Sequence, residues 1–335
     1  MIWWGASVLL VLAALSAAAA WYMLALPGDS YAGPETPPTA AEDDLAKWLE
    51  RHVMAVASVP HNVAHPLELE RSAAYIEAYL KSLGYEPKAQ TFKIGATSVR
   101  NIEVAIGPLD ATPDTRTLVI GAHYDSFGMA PGANDNGTGT AAVLELARLL
   151  KDLKLTDKRL RLVLFVNEEP PYDRTPDMGS WRYAKMLKER GENVAGMISL
   201  ETLGCFSEKP GSQRYPTPFG LIFPNKANFV ALVAMPGSRT FLHKIVGAFR
   251  EHTKIPTIGG TAPDQFDGIG WSDHWSFWKH GFPAVMITDT ALFRYPHYHR
   301  PSDTPDKVDY EKLARIALGL ELAVRDLMQL PPATN

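Results

Sequence analysis

The residues able to do chemistry in this chain gather at the ends of apolar runs. TLVIGAH closes on His123, with Asp125 two residues on and Asp135 in the glycine-rich turn GMAPGANDNGTG that follows. LRLVLFVN gives way to the adjacent pair Glu168–Glu169, and GMISL to Glu201. Late in the chain, PHYHRPSDTPDKVDY carries His297 and His299. Taken singly, each is explained by a polar residue ending a strand at the surface, or by a helix cap. Together they point to a shared centre, because ligands of open α/β sheets bind outside the carboxyl ends of the strands. The neighbouring carboxylates of Glu168 and Glu169 oppose each other's ionisation, and a bound cation removes that cost. Imidazole and carboxylate donors without sulfur suit zinc, then manganese or cobalt. Two such ions ~3.5–4 Å apart clamp a hydrolytic reaction between them. A further histidine is then expected, and His297 and His299 are the candidates.

Residues of this kind need rigid elements behind them. AQTFKIGA, NIEVAIG, TLVIGAHYD, LRLVLFVNEE, GMISLETLG, FGLIFP and PAVMITDT read as strands. HPLELERSAAYIEAYLKSLGY, GTGTAAVLELARLLKDL, GSWRYAKMLKERG, LHKIVGAFREH and YEKLARIALGLELAVRDL read as helices. Several strands are unbroken apolar runs, the mark of burial on both faces. The alternation predicts an α/β fold, a mostly parallel (mixed) twisted central sheet with helices on both faces.

The chain has 335 residues and a formal net charge of -4, enough for one large domain. No basic stripe favours nucleic acid. A single cysteine, Cys205, excludes an internal disulfide and a cysteine-rich metal site. Residues 1–26 stand apart: from 2 to 26 there is no charged side chain. That length of apolar chain spans a bilayer, and Trp3, Trp4, Trp21 and Tyr22 sit near its ends as interfacial aromatics do. The reading is an anchor through the membrane, or a signal segment cleaved near SAAAA. Acidic residues precede the first lysine, Lys47, so the body is placed outside the cytoplasm, periplasmic or extracellular. Residues 27–45 read as a linker and 46–330 as the catalytic domain.

GAHYDS, GANDNGTG, FVNEE, SLETLG, SDHWSF and YHRPSDTPDK occur in the order seen in metallopeptidase family 28. The body of the chain resembles that group of co-catalytic zinc exopeptidases, which includes leucyl-type aminopeptidases, glutamate carboxypeptidase and glutaminyl cyclases. The resemblance implies two zinc ions per chain. His123 and Glu201 would bind one, Glu169 and His299 the other, and Asp135 would bridge them. Glu168 would be the general acid/base, and Asp125 would orient His123. A hydroxide between the metals would attack the N-terminal peptide bond of a peptide substrate. A cis peptide is implied at Asp135–Asn136. The family pattern aligns on His299 rather than His297, which is left at the pocket rim. One departure is Glu201, where the family usually has aspartate. Ser272, Asp273 and His274 match a further segment, read as a loop that shapes the pocket. Of the aromatic residues nearby, Trp271, Trp275, Phe277, Trp278, Phe282, Phe293 and Tyr295, most are expected in the core and one or two in an apolar specificity pocket.

Other chemistries lack support. The chain has no G-x-S-x-G elbow, no H-E-x-x-H helix, no Walker loop and no dinucleotide fingerprint. The expectation is a metallo-aminopeptidase. A glutaminyl-peptide cyclotransferase and a non-catalytic receptor-like relative are the alternatives.

Overall fold

The structure, a computed structural model, describes residues 2–108, 112 and 114–329, but not the side chains of 2–6, 8 and 9. Trp3, Trp4 and Leu330 therefore lie outside what is described.

β1 (Lys88–Ile94), β2 (Thr97–Ile106), β3 (Arg116–His123), β4 (Lys158–Phe165), β5 (Val194–Glu201), β6 (Val230–Ala234), β7 (Thr257–Thr261) and β8 (Ala284–Thr288) form one sheet. Its order is β1-β2-β4-β3-β5-β8-β6-β7. The central strands β4, β3, β5 and β8 are mutually parallel, β1 and β2 join antiparallel at one side, and β6 runs antiparallel to β8. The expected mixed α/β sheet is thus present.

Alternation along β3 explains its apolar run. Leu118 and Ile120 face the larger core with Leu144, Ile198, Ile287 and Leu320, while Val119 faces a second core with Val163, Phe165, Tyr183 and Phe277. Helices cover both faces. α2 (Ala40–Val56), α3 (Pro66–Ser82), α4 (Thr138–Leu149), α6 (Arg239–His252) and α9 (Tyr310–Gln329) supply the first core; α5 (Gly179–Glu189) and α7 (His274–Lys279) supply the second. A short α8 (Ala291–Arg294) follows β8.

Three local readings differ. FGLIFP is a 3-10 turn over Phe219–Leu221 with no buried residue, so the apolar run marks an exposed segment and not a strand. β6 and β7 were missed, being five residues each and rich in alanine and glycine. α2 begins at Ala40, inside the stretch read as linker. Thr39 and Glu42 form a reciprocal cap there, and Glu42 Oε1 accepts from buried Arg315 of α9 at 2.7 Å.

The N-terminal stretch forms α1 (Ile2–Leu24). Among the described residues no helix is long and apolar enough to cross a membrane. A spanning anchor over 1–26, and the membrane as a partner through it, are therefore not supported. The end of the helix is instead held by protein: Arg239 Nε donates to Tyr22 O at 2.7 Å.

The Glu42–Arg315 pair yields a prediction. Burial would raise the Glu42 carboxyl, but Arg315 and the Thr39 N–H hold it below its ordinary value. A depressed carboxyl stabilises the fold above its unfolded pKa of ~4.3 and loses that contribution as pH falls through the folded value. Arg315→Leu leaves the carboxylate uncompensated and should cost ~3–5 kcal/mol, read by denaturant unfolding at pH 7. The difference from the unsubstituted chain should shrink below pH ~4.

Candidate metal centre

Parallel register brings the strand ends together. His123 pairs with Phe165 and Glu201 with Thr288, so His123, Glu168, Glu169 and Glu201 leave the sheet at one edge. Asp135 arrives from the turn before α4. Gly132 in that turn has φ +75, and a Cβ there would lie 2.6 Å from Asp135 O, so the tight backbone needs glycine. The Asp135–Asn136 peptide is cis, as the resemblance implies. His299 comes from the loop after α8, with φ +57. Its ring lies between Phe127 and Tyr298, at centroid distances of 4.0 and 3.9 Å.

Asp135 stands at the middle of the cluster. Its Oδ1 is 3.5 Å from His123 Nε2, and its Oδ2 is 3.1 Å from His299 Nε2. His123 Nε2 also lies 3.5 Å from Glu201 Oε2, and His299 Nε2 lies 3.2 Å from Glu169 Oε2. Two groups of possible ligands result, His123–Asp135–Glu201 and Asp135–Glu169–His299, sharing Asp135. All five residues proposed as ligands converge. Glu168 lies beside them, its Oε2 3.7 Å from His123 Nε2. His297 stays outside, bonded through Nδ1 to Ser302 Oγ at 2.9 Å.

Glu201 reaches the cluster despite its extra methylene. Ser272 Oγ donates to its Oε2 at 2.7 Å, and Ser199 and Ser272 are bonded at 2.9 Å. Asp125 does more than sit near His123. Its carboxylate is 3.6 Å from His123 Nδ1 and accepts the N–H groups of Glu168 and Glu169 at 3.1 and 3.3 Å. The imidazole Nδ1 is closest to the Asp125 backbone carbonyl, at 3.1 Å.

Two supporting residues escaped the sequence reading. Asp303 accepts from the N–H groups of Asn134 and Asp135 at 2.8 and 3.2 Å and so fixes the bridging turn. Asp289, at the end of β8, accepts from Gly204 N–H, Cys205 N–H, Asn134 Nδ2 and Thr202 Oγ1. A sequence signal existed for both, an aspartate ending the apolar run AVMIT and one in the HRPSD segment, but neither carries a role in the sequence reading.

The electrostatics fit a cation. Burial pushes Glu169 up to about 8, with Asp135 adding and His299 opposing. Burial likewise carries Glu168 well above the carboxylate range; the charges of Glu201, Glu169 and Asp273 reinforce this against His123. His299 moves the other way: burial would lower it, but Asp135 and Glu169 raise it to about 10. His123 Nε2, Asp135 Oδ2, Glu169 Oε1 and His299 Nε2 are buried without any hydrogen-bond partner. Orphaned lone pairs aimed at a common space are costly unless something binds them.

An apolar cavity opens beside the cluster. Glu201 and Tyr298 border it, and Phe219, Phe223, Val233, Ile258, Trp271 and Phe293 line it. Trp275, Phe277, Phe282 and Tyr295 are buried elsewhere in the protein, as expected for most of that aromatic set. Asn136-Gly137-Thr138 has the form of a glycosylation sequon, but Asn136 is buried and donates to Leu200 O at 2.8 Å, so it carries no glycan in this fold. Burial drives the Cys205 thiol up to about 12, which leaves it inert.

Comparison with known proteins decides the family: the model of Peptidase family M28 matches residues 101–323. This chain belongs to Peptidase family M28. YfbL of Escherichia coli K12 is 34% identical over 296 residues, covering 86% of this chain and 88% of YfbL. A probable leucine aminopeptidase of Arthroderma otae is 32% identical over 227 residues, 62% of this chain, which spans about half (54%) of that relative. Among solved structures, a zinc aminopeptidase from Bacillus subtilis matches with TM-score 0.68 at 16% identity, covering 90% of this chain and 98% of that one. A glutaminyl cyclase from Fimbriiglobus ruber shares the fold with TM-score 0.61 at 18% identity, covering 87% and 97%. The likeness to these structures establishes the fold, and membership of the M28 family makes the chain a peptidase.

The cluster predicts metal content. Dialysed against Zn²⁺, the unsubstituted chain should bind two equivalents, His299→Ala about one, and Asp135→Ala fewer than His299→Ala, by elemental analysis after gel filtration. Two equivalents retained by His299→Ala would break the ligand assignment.

Proposed function

We propose that this M28 peptidase is a zinc-dependent aminopeptidase that removes apolar N-terminal residues from peptides. The observation that carries the reading is Asp135 facing a histidine on each side, between two ligand groups and beside an apolar cavity. Zinc ions held by His123, Asp135 and Glu201 and by Asp135, Glu169 and His299 would acidify a water and polarise the scissile carbonyl. The side chains around them do the rest. Glu168 is not needed as a ligand, and its proton affinity is raised by burial and neighbouring carboxylates. It takes a proton from the attacking water at its carboxylate and returns it to the leaving amine. Asp125, bonded to the N–H groups of Glu168 and Glu169, holds the acid/base and one ligand in fixed relation to His123. Burial and four carboxylates keep the Tyr298 phenol protonated, so it donates a hydrogen bond to the carbonyl oxygen as negative charge grows there.

The cavity gives the substrate class. It offers about 110 Å³, against roughly 150 Å³ for a dry cavity that takes up benzene. One leucine-sized side chain fills it. The Arthroderma otae relative, a probable leucine aminopeptidase, points the same way. The second reading, a glutaminyl cyclase, is supported by the shared fold but less by an apolar cavity, because the amide of a glutamine side chain needs hydrogen-bond partners. We also propose that the body acts outside the cytoplasm. The chargeless α1 and the acidic residues that follow it support this placement, and an alkaline phosphatase fused after Asn335 should be active in cells if it holds.

The decisive assay pairs Leu-initial with Gln-initial peptides. Free leucine from the first supports the aminopeptidase; ammonia without a freed amino acid from the second would turn the reading to the cyclase. Glu168→Gln should keep its metal and lose ~10²–10⁴ of kcat. Turnover equal to the unsubstituted enzyme would remove Glu168 from the mechanism.

A further inference from the structure

The segment that ends α1 is built into the protein. Tyr22 to Ser30 run along β7, the outermost strand on that side of the sheet. The Arg239 guanidinium lies 4.1 Å over the Tyr22 ring. Thr261 Oγ1 donates to Met23 O at 3.4 Å. Arg250 Nη1 donates to Pro27 O and Gly28 O at 2.9 and 2.6 Å, and the Thr257 N–H donates to Ser30 Oγ at 2.8 Å. Gly260 in β7 has φ +149, and a Cβ there would meet Met23 O at 2.7 Å and Leu24 Cα at 3.1 Å. Only glycine allows the segment so close. An edge strand left bare invites pairing with another chain, and this stretch covers it.

The same close approach brings Leu24 to the apolar cavity, which also includes Ile258 and Gly260 of β7 and is bordered by Glu201 and Tyr298 at the metal centre. A residue of the N-terminal segment is thus part of the wall that a substrate side chain would meet. We propose that Leu24 is a specificity-determining residue, whose bulk sets how large an apolar N-terminal side chain the enzyme accepts. The substrate class in this inference rests on the aminopeptidase reading; the docking of the segment and its place in the wall do not.

The physics is one of volume. In an apolar pocket a single methylene changes discrimination by roughly 10–200-fold. Leu24→Ala lengthens the cavity, and Leu24→Trp shortens it. The experiment uses the full chain in detergent micelles with alanyl, leucyl, phenylalanyl and tryptophanyl arylamides. Leu24→Ala should raise the ratio of kcat/KM for phenylalanyl over alanyl substrate by ~10-fold, and Leu24→Trp should lower it by a similar factor. Arg239→Ala, which frees the docked turn, should speed amide hydrogen exchange across 22–26 and flatten the preference. This exchange readout needs no catalysis. Ratios unchanged in both Leu24 variants of an active enzyme overturn the proposal and leave the aminopeptidase standing. If the unsubstituted chain hydrolyses no arylamide, the aminopeptidase reading falls. The wall is then read from calorimetric affinities for L-leucinol and L-phenylalaninol: a shifted ratio in the Leu24 variants upholds it and an unshifted ratio ends it. Leu24→Val, one methylene smaller, should shift the ratio in the same direction and serves if Leu24→Ala does not fold.

Discussion

Four carboxylates, those of Asp135, Glu168, Glu169 and Glu201, are buried within reach of one another with only His123 and His299 between them. In a low-dielectric site like charges cannot all remain ionised unpaired. Protons drawn onto the carboxylates and imidazoles relieve the repulsion only in part. Glu168 and Glu169 are pushed up while Asp135 is held down, and four polar atoms are left without partners. The rest of the structure exists to hold this unfavourable arrangement in place until cations offset it.

How it is held follows from the sheet. A parallel strand end exposes backbone groups just where a ligand side chain must be aimed, and three aspartates take up such groups around the centre. Asp125 binds the N–H groups of Glu168 and Glu169, Asp303 those of Asn134 and Asp135, and Asp289 those of Gly204 and Cys205. Asn136 ties the bridging turn to β5, donating to Leu200 O and accepting from Thr202 N–H. Asn167, Thr202 and His299 are non-glycine residues at positive φ, Asn167 next to Glu168, Thr202 next to the ligand Glu201 and His299 itself a ligand. Such backbone costs ~1–3 kcal/mol per residue and persists where surrounding contacts over-determine it. The hydrogen bonds to Thr202 and the aromatic sandwich around His299 supply that determination.

The centre was legible in the sequence because metal chemistry restricts residue type and strand ends restrict position. His123, Glu168, Glu169 and Glu201 each close or follow an apolar run, Asp135 lies in the turn after the first of them, and β3, β4, β5 and β8 were visible as runs buried on two faces. His299 was separable from His297 only through the family pattern; neither burial nor spacing distinguishes them in the chain. Asp289 and Asp303 look like ligands by type and serve instead as acceptors for backbone N–H groups, a role set by three-dimensional position. β6 and β7 were illegible for a different reason. At five residues each, VALVA and TIGGT are too short to show a period, and Gly260 of β7 is small because the end of α1 packs on it. FGLIFP misled in the opposite sense, since its phenylalanine residue Phe219 serves the cavity and not a sheet.

These missed elements divide the labour of the fold. Four of the ligands come from β3, β4, β5 and the turns after them, and His299 comes from the loop after α8. The cavity is built mainly from β6, β7, the loop around 215–223 and the loop around 267–271. None of these contributes a ligand, and the two halves meet at Glu201 and Tyr298. Substitutions in the second half can therefore reshape the cavity while the carboxylate cluster and its supporting hydrogen bonds stay as they are. The cavity can be reshaped without moving a carboxylate of the cluster. That separation is why a sequence can announce what reaction its fold supports while withholding which side chain it prefers.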